Sequence, residues 1–269
     1  MKKKKIFPGI YVAVLTIITY VPILLTVIYS FNESKSSVTW TGFSWKWYEE
    51  LFRDREIKEA LINSLILAGA SCLLAAVLGT CGAIGIWKMS EKPEKYKGFM
   101  KINNVMSYIS MLPIMVPEII LGMVFMAVFS FMDLPFGMVT LIIAHTAFCV
   151  PYVFSMVKAR LVGMDKSLEE AALDMGASPM QVFKDITLPM IMPAVLSGMM
   201  LAFAMSFDDV VISIFVTGAK VNTLPVKIYT KLKTGVTPEI NALATVMLLV
   251  TLILLGISSI LSKKWKRKS

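Results

Sequence analysis

Six apolar stretches dominate this sequence. Each is long enough to cross the ~30 Å hydrocarbon layer of a bilayer at ~1.5 Å of helix rise per residue. They run roughly over 8–31, 61–87, 105–131, 136–157, 190–216 and 239–262. Lipid offers no partner to a backbone N–H or C=O, so such segments are expected to satisfy their own hydrogen bonds as helices. The expectation is an all-α, polytopic membrane protein with six transmembrane helices in a single domain over 1–269. Composition agrees, since 57% of the 269 residues are hydrophobic and the mean hydropathy is +0.72, too apolar for a soluble domain.

Charge sets the expected orientation. The net charge of +9 is gathered into clusters: Lys2, Lys3, Lys4 and Lys5 at one end, and Lys263, Lys264, Lys266, Arg267 and Lys268 at the other. Each cluster abuts an apolar span, which favours cytoplasmic anchoring over nucleic-acid binding. Ile6 to Phe31 is too long for a signal-peptide core and lacks a small-residue cleavage pattern, so it reads as an uncleaved first span. An even helix count then puts both termini in the cytoplasm of a multi-pass cell-membrane protein. Loop 88–104, with five lysines against two glutamates, falls inside; loop 32–60, with five basic and six acidic residues, falls outside. Trp40, Trp45 and Trp47 suit an outer aromatic belt, and Trp87 and Trp265 an inner one. Loop 217–238 runs against the rule, carrying Lys220, Lys227, Lys231 and Lys233 although the count places it outside. The stretch "TLPVKIYTKLK" within it reads as a short surface helix, and Lys231 and Lys233 are expected to meet an acidic external partner. Cys72, Cys81 and Cys149 lie in apolar segments without CxxC spacing and read as small buried side chains. The second span is rich in Gly, Ala and Ser, which lets helix backbones approach closely.

One polar insert interrupts this pattern, "EEAALDMGASPMQVFKDITLP" at 169–189. Ser167 is a candidate N-cap with Glu170 closing a capping box, and Gly176 a left-handed stop. Ser178, Pro179 and Gln181 repeat the start signal, predicting two short helices joined by a tight glycine turn. Leu173, Met175, Met180, Val182 and Phe183 are the apolar positions that would suit a groove on another protein. A merely solvated elbow between two spans is the bland alternative.

The spacing Glu170-Ala171-Ala172, Gly176, Ile186, Leu188-Pro189 resembles the EAA loop of ATP-binding-cassette import permeases of the MetI-like, type I importer fold. Four further blocks, "MLPIMVPEIILG", "AHTAFCVPYVF", "SFDDVVISIFVTG" and "TLPVKIYTKLKTGVTPEINALAT", are similar to PotC-type permeases of spermidine/putrescine importers. The resemblance implies a cytoplasmic coupling loop over 165–189 in which Glu170, Ala171, Ala172, Gly176, Ala177, Ile186, Leu188 and Pro189 dock on an ATPase. It also implies a PotB-type partner permease, two PotA-type ATPases carrying ATP and Mg, and a PotD-type binding protein. The chain itself would bind no cofactor.

A polyamine pathway needs acceptors or negative charge along apolar walls. Glu118, after Pro113 and Pro117, falls near mid-membrane by depth, where an acid costs about 2.5–3.5 kcal/mol unless it faces a cavity or partner. Asp208 and Asp209 fall in the outer third of the fifth span, and at most one of them can face the pathway. Tyr152 and Phe207 could offer cation–π faces. His145, the only histidine, reads first as a hydrogen-bonded packing residue and second as a pathway group. A GxxxxGK[ST] phosphate loop is absent, so ATP hydrolysis belongs to another chain. An intramembrane enzyme lacks a nucleophile–base or HExxH pattern. A secondary transporter using the acids as proton or cation sites, and an importer of another small cationic or organic solute, are the remaining alternatives.

Overall fold

The computed structural model of the chain describes residues 6–35, 39–91, 105, 108, 110–219, 221–233, 235 and 237–266. Lys2 to Lys5, most of loop 88–104, Lys220, Arg267 and Lys268, and the side chains of Lys263, Lys264, Trp265 and Lys266, lie outside the described residues. Among the described residues there is no strand, only an isolated bridge between Asn32 and Phe43. The helices are α1 (Ile6–Tyr29), α2 (Lys46–Arg53), α3 (Arg55–Glu91), α4 (Leu112–Met115), α5 (Glu118–Phe131), α6 (Met138–Val162), α7 (Ser167–Asp174), α8 (Pro179–Val182), α9 (Leu188–Asp208), α10 (Val211–Val216), α11 (Leu224–Leu232) and α12 (Pro238–Lys266). A single π turn, Phe183–Thr187, joins α8 to α9.

Among the described residues, four helical segments are long and apolar enough to cross a membrane: Gly9–Tyr29, Arg55–Ser90, Met138–Val162 and Pro179–Asp208. The third expected span contains a shorter apolar helix, Glu118–Phe131, and the sixth falls within α12, Pro238–Lys266. The third is shortened by its prolines. Val116 and Pro117 are extended, with ψ of 131° and 134°, so the helix stops at Met115 and restarts at Glu118.

The chain divides into two compact units, residues 1–59 with 227–252, and residues 60–226 with 253–269. In the first, an aromatic cluster follows α1: Phe31 stacks on Phe43 at 5.1 Å and meets Trp45 and Tyr48. Trp40 and Trp45 are exposed, as a belt requires, but Trp47 is buried and donates Nε1–H to the Asn32 carbonyl at 2.6 Å. Helix α11 forms where a surface helix was predicted, and its lysines, with Lys233 just beyond it, are engaged within the unit. Lys227 pairs with Glu56, Lys231 pairs with Glu239 and lies 4.0 Å from Asp54, and Lys233 sits 4.7 Å over the Tyr229 ring. These pairings offset the local positive charge and leave Lys231 a poor candidate for the acidic external partner expected of it.

The second unit is built around α6. Its Leu141, Ala144, Phe148, Cys149, Val153, Phe154 and Val157 are buried, with α9, α10, α5 and α4 packed against the helix. Trp87, expected at an interface, is buried in this core, whereas Cys81 is exposed. Apolar burial adds little between helices that lipid would solvate equally well, so close packing and polar bonds carry the association. The small residues of α3 and α9 supply the first: Gly79 and Gly198 both lie directly against Val153.

Candidate functional site

Glu118 is the first residue of α5, not the middle of a long helix. Pro117 has no N–H to donate and sits in the extended break, while the acid lies at the positive end of the new helix, where a negative charge is favoured. One turn on, Gly122 packs on Phe215 of α10, so closely that a Cβ would meet the ring at 2.5 Å. That contact turns the exposed Glu118 toward the junction of α9 and α10, close enough to interact electrostatically with Asp209 and Asp208.

The expected fifth span is also broken. Helix α9 ends at Asp208, Asp209 is extended with ψ of 126°, and α10 begins at Val211. The Asp209 carboxylate explains the break: Oδ1 accepts Ile212 N–H at 3.2 Å, and Oδ2 accepts Ser213 N–H and the Ser213 hydroxyl, both at 2.9 Å. It caps α10 from inside an apolar segment. The neighbouring acids therefore differ completely. Asp209 is buried and bonded, and Asp208 is exposed.

His145 of α6 is fully buried beside this junction. Its Nδ1 is 2.8 Å from Ser206 Oγ, and its Nε2 is 3.1 Å from Ser213 Oγ and 3.4 Å from Asp209 Oδ2. Ser206 Oγ lies a further 2.9 Å from Ser71 Oγ of α3. His145 is thus a hydrogen-bonded interior residue, with no face open to a pathway. Phe207 is likewise buried and stacks on Phe203 at 5.8 Å, so it belongs to the core and offers no cation–π face. Tyr152 is half-buried, edge-on to Phe148, and within electrostatic range of Glu118. Of the six residues expected along a pathway, Glu118, Asp208 and Tyr152 are accessible, while Asp209, His145 and Phe207 are buried. The serines 71, 206 and 213 had no part in the expected site. Their signal was present: Ser206 and Ser213 stand three before and four after Asp209.

The polar insert forms two short helices about a glycine turn, as its punctuation predicted. Gly176 has φ of +90°, and Ala177 N–H reaches back to the Ala172 carbonyl at 3.0 Å, a Schellman-type stop. At α8 the capping box forms, with Ser178 N–H donating to Gln181 Oε1 at 2.8 Å. The first cap differs from expectation. Ser167 lies inside α7, and Asp165 serves instead, accepting Ser167 N–H at 3.0 Å. The Ser167 amide and hydroxyl hold the Asp165 carboxyl below the usual carboxylate range.

Glu170, Ala171 and Gly176 are exposed, and Ala172, Ala177, Ile186, Leu188 and Pro189 are half-buried. Leu173, Met175 and Met180 present apolar side chains to the outside, Met175 with 89% of its surface free. Val182 is instead buried and Phe183 half-buried beneath Lys88, whose Nζ is 5.6 Å from the ring, so these two anchor the elbow to the bundle. Thr187 donates to Glu169, joining α7 to the π turn, and Arg160 Nε donates to the Met190 carbonyl at 3.0 Å. Among the described residues, no group of three or more His, Cys, Asp or Glu could hold a metal ion.

Over residues 96–267 the chain matches, and it belongs to, the family described as binding-protein-dependent transport system inner membrane component. It is 37% identical to the spermidine/putrescine transport system permease protein PotC of Haemophilus influenzae, covering 91% of this chain and 92% of that one. It is 42% identical to the putrescine transport system permease protein PotI of Escherichia coli K12, covering 85% and 81%. In fold it is similar to a chain of a bacterial ABC transporter that imports the acidic polysaccharide alginate, at a TM-score of 0.75, 16% identity, and 97% and 96% coverage. A chain of the MetNI methionine ABC transporter, inward facing, gives 0.67 at 17% identity, with 79% and 99% coverage.

Proposed function

We propose that this chain is one permease of an ATP-driven polyamine importer, crossing the membrane six times with both termini in the cytoplasm. In this reading Glu118 and Asp208 receive the ammonium groups of spermidine or putrescine, with the Tyr152 ring beside Glu118. The observation that carries it is the pair of helix breaks inside an apolar bundle, each of which leaves an acid exposed, Glu118 at the start of α5 and Asp208 at the end of α9. A flexible polycation needs such acceptors, and few, so that it is also released. The PotC- and PotI-type relatives support the choice of cargo. A PotB-type permease would complete the pathway, two PotA-type ATPases would bind ATP and Mg and dock on the elbow at 165–189, and a PotD-type protein would deliver the cargo.

The test is reconstitution of the assembled complex in nanodiscs with candidate binding proteins. ATP hydrolysis should rise with a binding protein loaded with spermidine or putrescine. Stimulation by a sugar- or amino-acid-loaded protein alone would assign a different cargo. Uptake that follows an ion gradient without an ATPase would make the chain a secondary transporter.

A further inference from the structure

The hydrogen-bonded chain Ser71–Ser206–His145–Ser213–Asp209 is buried, and it joins α3, α6, α9 and α10 at the point where the expected fifth span breaks. We propose that His145 is a positioning residue for cargo: by holding Asp209 and the end of α9, it keeps Asp208 exposed beside Glu118. This rests on reading Glu118 and Asp208 as the cargo-binding acids.

The proton pattern gives the ring its role. Ser213 donates its one hydroxyl proton to Asp209 Oδ2, so its oxygen is left to accept, and Nε2 of His145 is the donor that reaches it. The other ring nitrogen engages Ser206 on the far side of the break. The imidazole thus clamps the residues that stand three before and four after Asp209. Without it, the Ser213 oxygen would lose its donor and Asp209 the imidazole 3.4 Å from its Oδ2, leaving buried polar groups without a partner, a strongly unfavourable state. The available relief is for Asp209 to turn out of the core. Asp209 follows directly on Asp208, the last residue of α9, so that turn would twist the end of the helix and carry the Asp208 side chain away from Glu118. The loss falls on cargo affinity, although His145 never touches cargo.

The experiment uses the reconstituted full complex and initial rates of spermidine and putrescine uptake. His145→Leu should raise KM by about tenfold, the effect of losing one buried polar bond, with a smaller change in maximal rate. His145→Gln, which can place a donor toward Ser213 and Asp209, should restore most of the affinity, and Ser206→Ala should fall between. His145→Leu should not compound with Asp209→Asn or with Asp208→Asn, each double variant matching its worse single one, whereas His145→Leu and Glu118→Gln should.

A second readout is independent of cargo: with Asp208→Cys, labelling at position 208 by a membrane-impermeant maleimide should be strong, and should fall several-fold when His145→Leu is added. Unchanged KM and unchanged labelling in the His145→Leu and Ser206→Ala variants would overturn the positioning role. A complex that ignores both polyamines while the labelling still responds to His145 would overturn the cargo assignment and leave the clamp standing. Should His145→Leu fail to assemble, His145→Gln and Ser206→Ala decide the same comparisons.

Discussion

Gly79 of α3 lies so close to Val153 of α6 that an added Cβ would meet the Val153 Cβ at 2.9 Å and the Phe154 backbone nitrogen at 2.9 Å. On the other side Gly198 would meet the Val153 Cα at 2.9 Å. Alanine gains up to ~1 kcal/mol of helix propensity over glycine, but overpacking costs about 1–3 kcal/mol, and here the obstruction is backbone that cannot rotate aside. Gly79→Ala and Gly198→Ala should therefore lower the thermal unfolding midpoint of the purified permease. Gly69→Ala, with nothing within 4 Å of its would-be Cβ, should not.

The adjacent acids should separate by phenotype. Asp208→Asn should weaken polyamine uptake at unchanged stability, since its side chain is exposed. Asp209→Ala leaves the Ile212 and Ser213 amides without their acceptor, at about 1–3 kcal/mol for a buried unsatisfied group, and should lower the unfolding midpoint. Glu118→Gln should behave like Asp208→Asn. Equal stability and equal uptake losses for both aspartates would contradict their assignment to different environments.

The positions of the apolar helices and the punctuation of the elbow were legible because hydropathy and capping residues act locally. The two breaks were not. Residues 190–216 read as one span because nothing in hydropathy reports that the Asp209 side chain takes over two backbone amides and ends the helix there. Glu118 was assigned its depth by counting along a helix that in fact restarts at that residue. Phe207 and Trp87 have the composition of a lipid- or cargo-facing ring, and only tertiary packing buries them. The Ser206, Asp209 and Ser213 spacing carried the missing information, but serines in an apolar run look like packing until their histidine is found.

Gly176 holds φ of +90°, where other residues are strained, and its N–H donates to the Leu173 carbonyl at 2.9 Å. Proline there would fix φ near −65° and remove the donor. Gly176→Pro should thus abolish polyamine-stimulated ATP hydrolysis and release the ATPase subunits on purification. Met175→Glu, which places a charge on the most exposed apolar side chain of the elbow, should weaken ATPase co-purification alone. Full, ATP-dependent uptake in Gly176→Pro would remove the coupling role.

The Asp165 cap carries a pH signature. A carboxyl whose folded-state pKa is depressed stabilises at pH above its unfolded value, ~3.9, and the contribution disappears as pH falls through the lower folded value. At neutral pH the cap is fully in force. Asp165→Ala should then increase amide exchange over residues 167–174 at pH 7, relative to the unstructured rate. The difference from wild type should shrink only on acidification through and below the ordinary carboxylate range.

Thr187 links the elbow to the bundle. Its hydroxyl donates to Glu169 on α7, while Leu188 N–H reaches back five residues to the Phe183 carbonyl, in the π register, next to Pro189, which has no N–H of its own. A π turn is a short, adaptable stretch of helix, and this one lies between the elbow helices, α7 and α8, and α9, whose far end carries Asp208. If Asp208 receives cargo as proposed, movement of α7 would reach it through one side-chain bond as well as through the backbone. Thr187→Val keeps the shape and removes that bond. The complex should assemble and retain basal ATP hydrolysis, while polyamine molecules imported per ATP fall several-fold; Thr187→Ser, which keeps the hydroxyl, should restore the ratio. If Thr187→Val imports as many molecules per ATP as wild type, force passes through the backbone alone and the Glu169 contact is only structural.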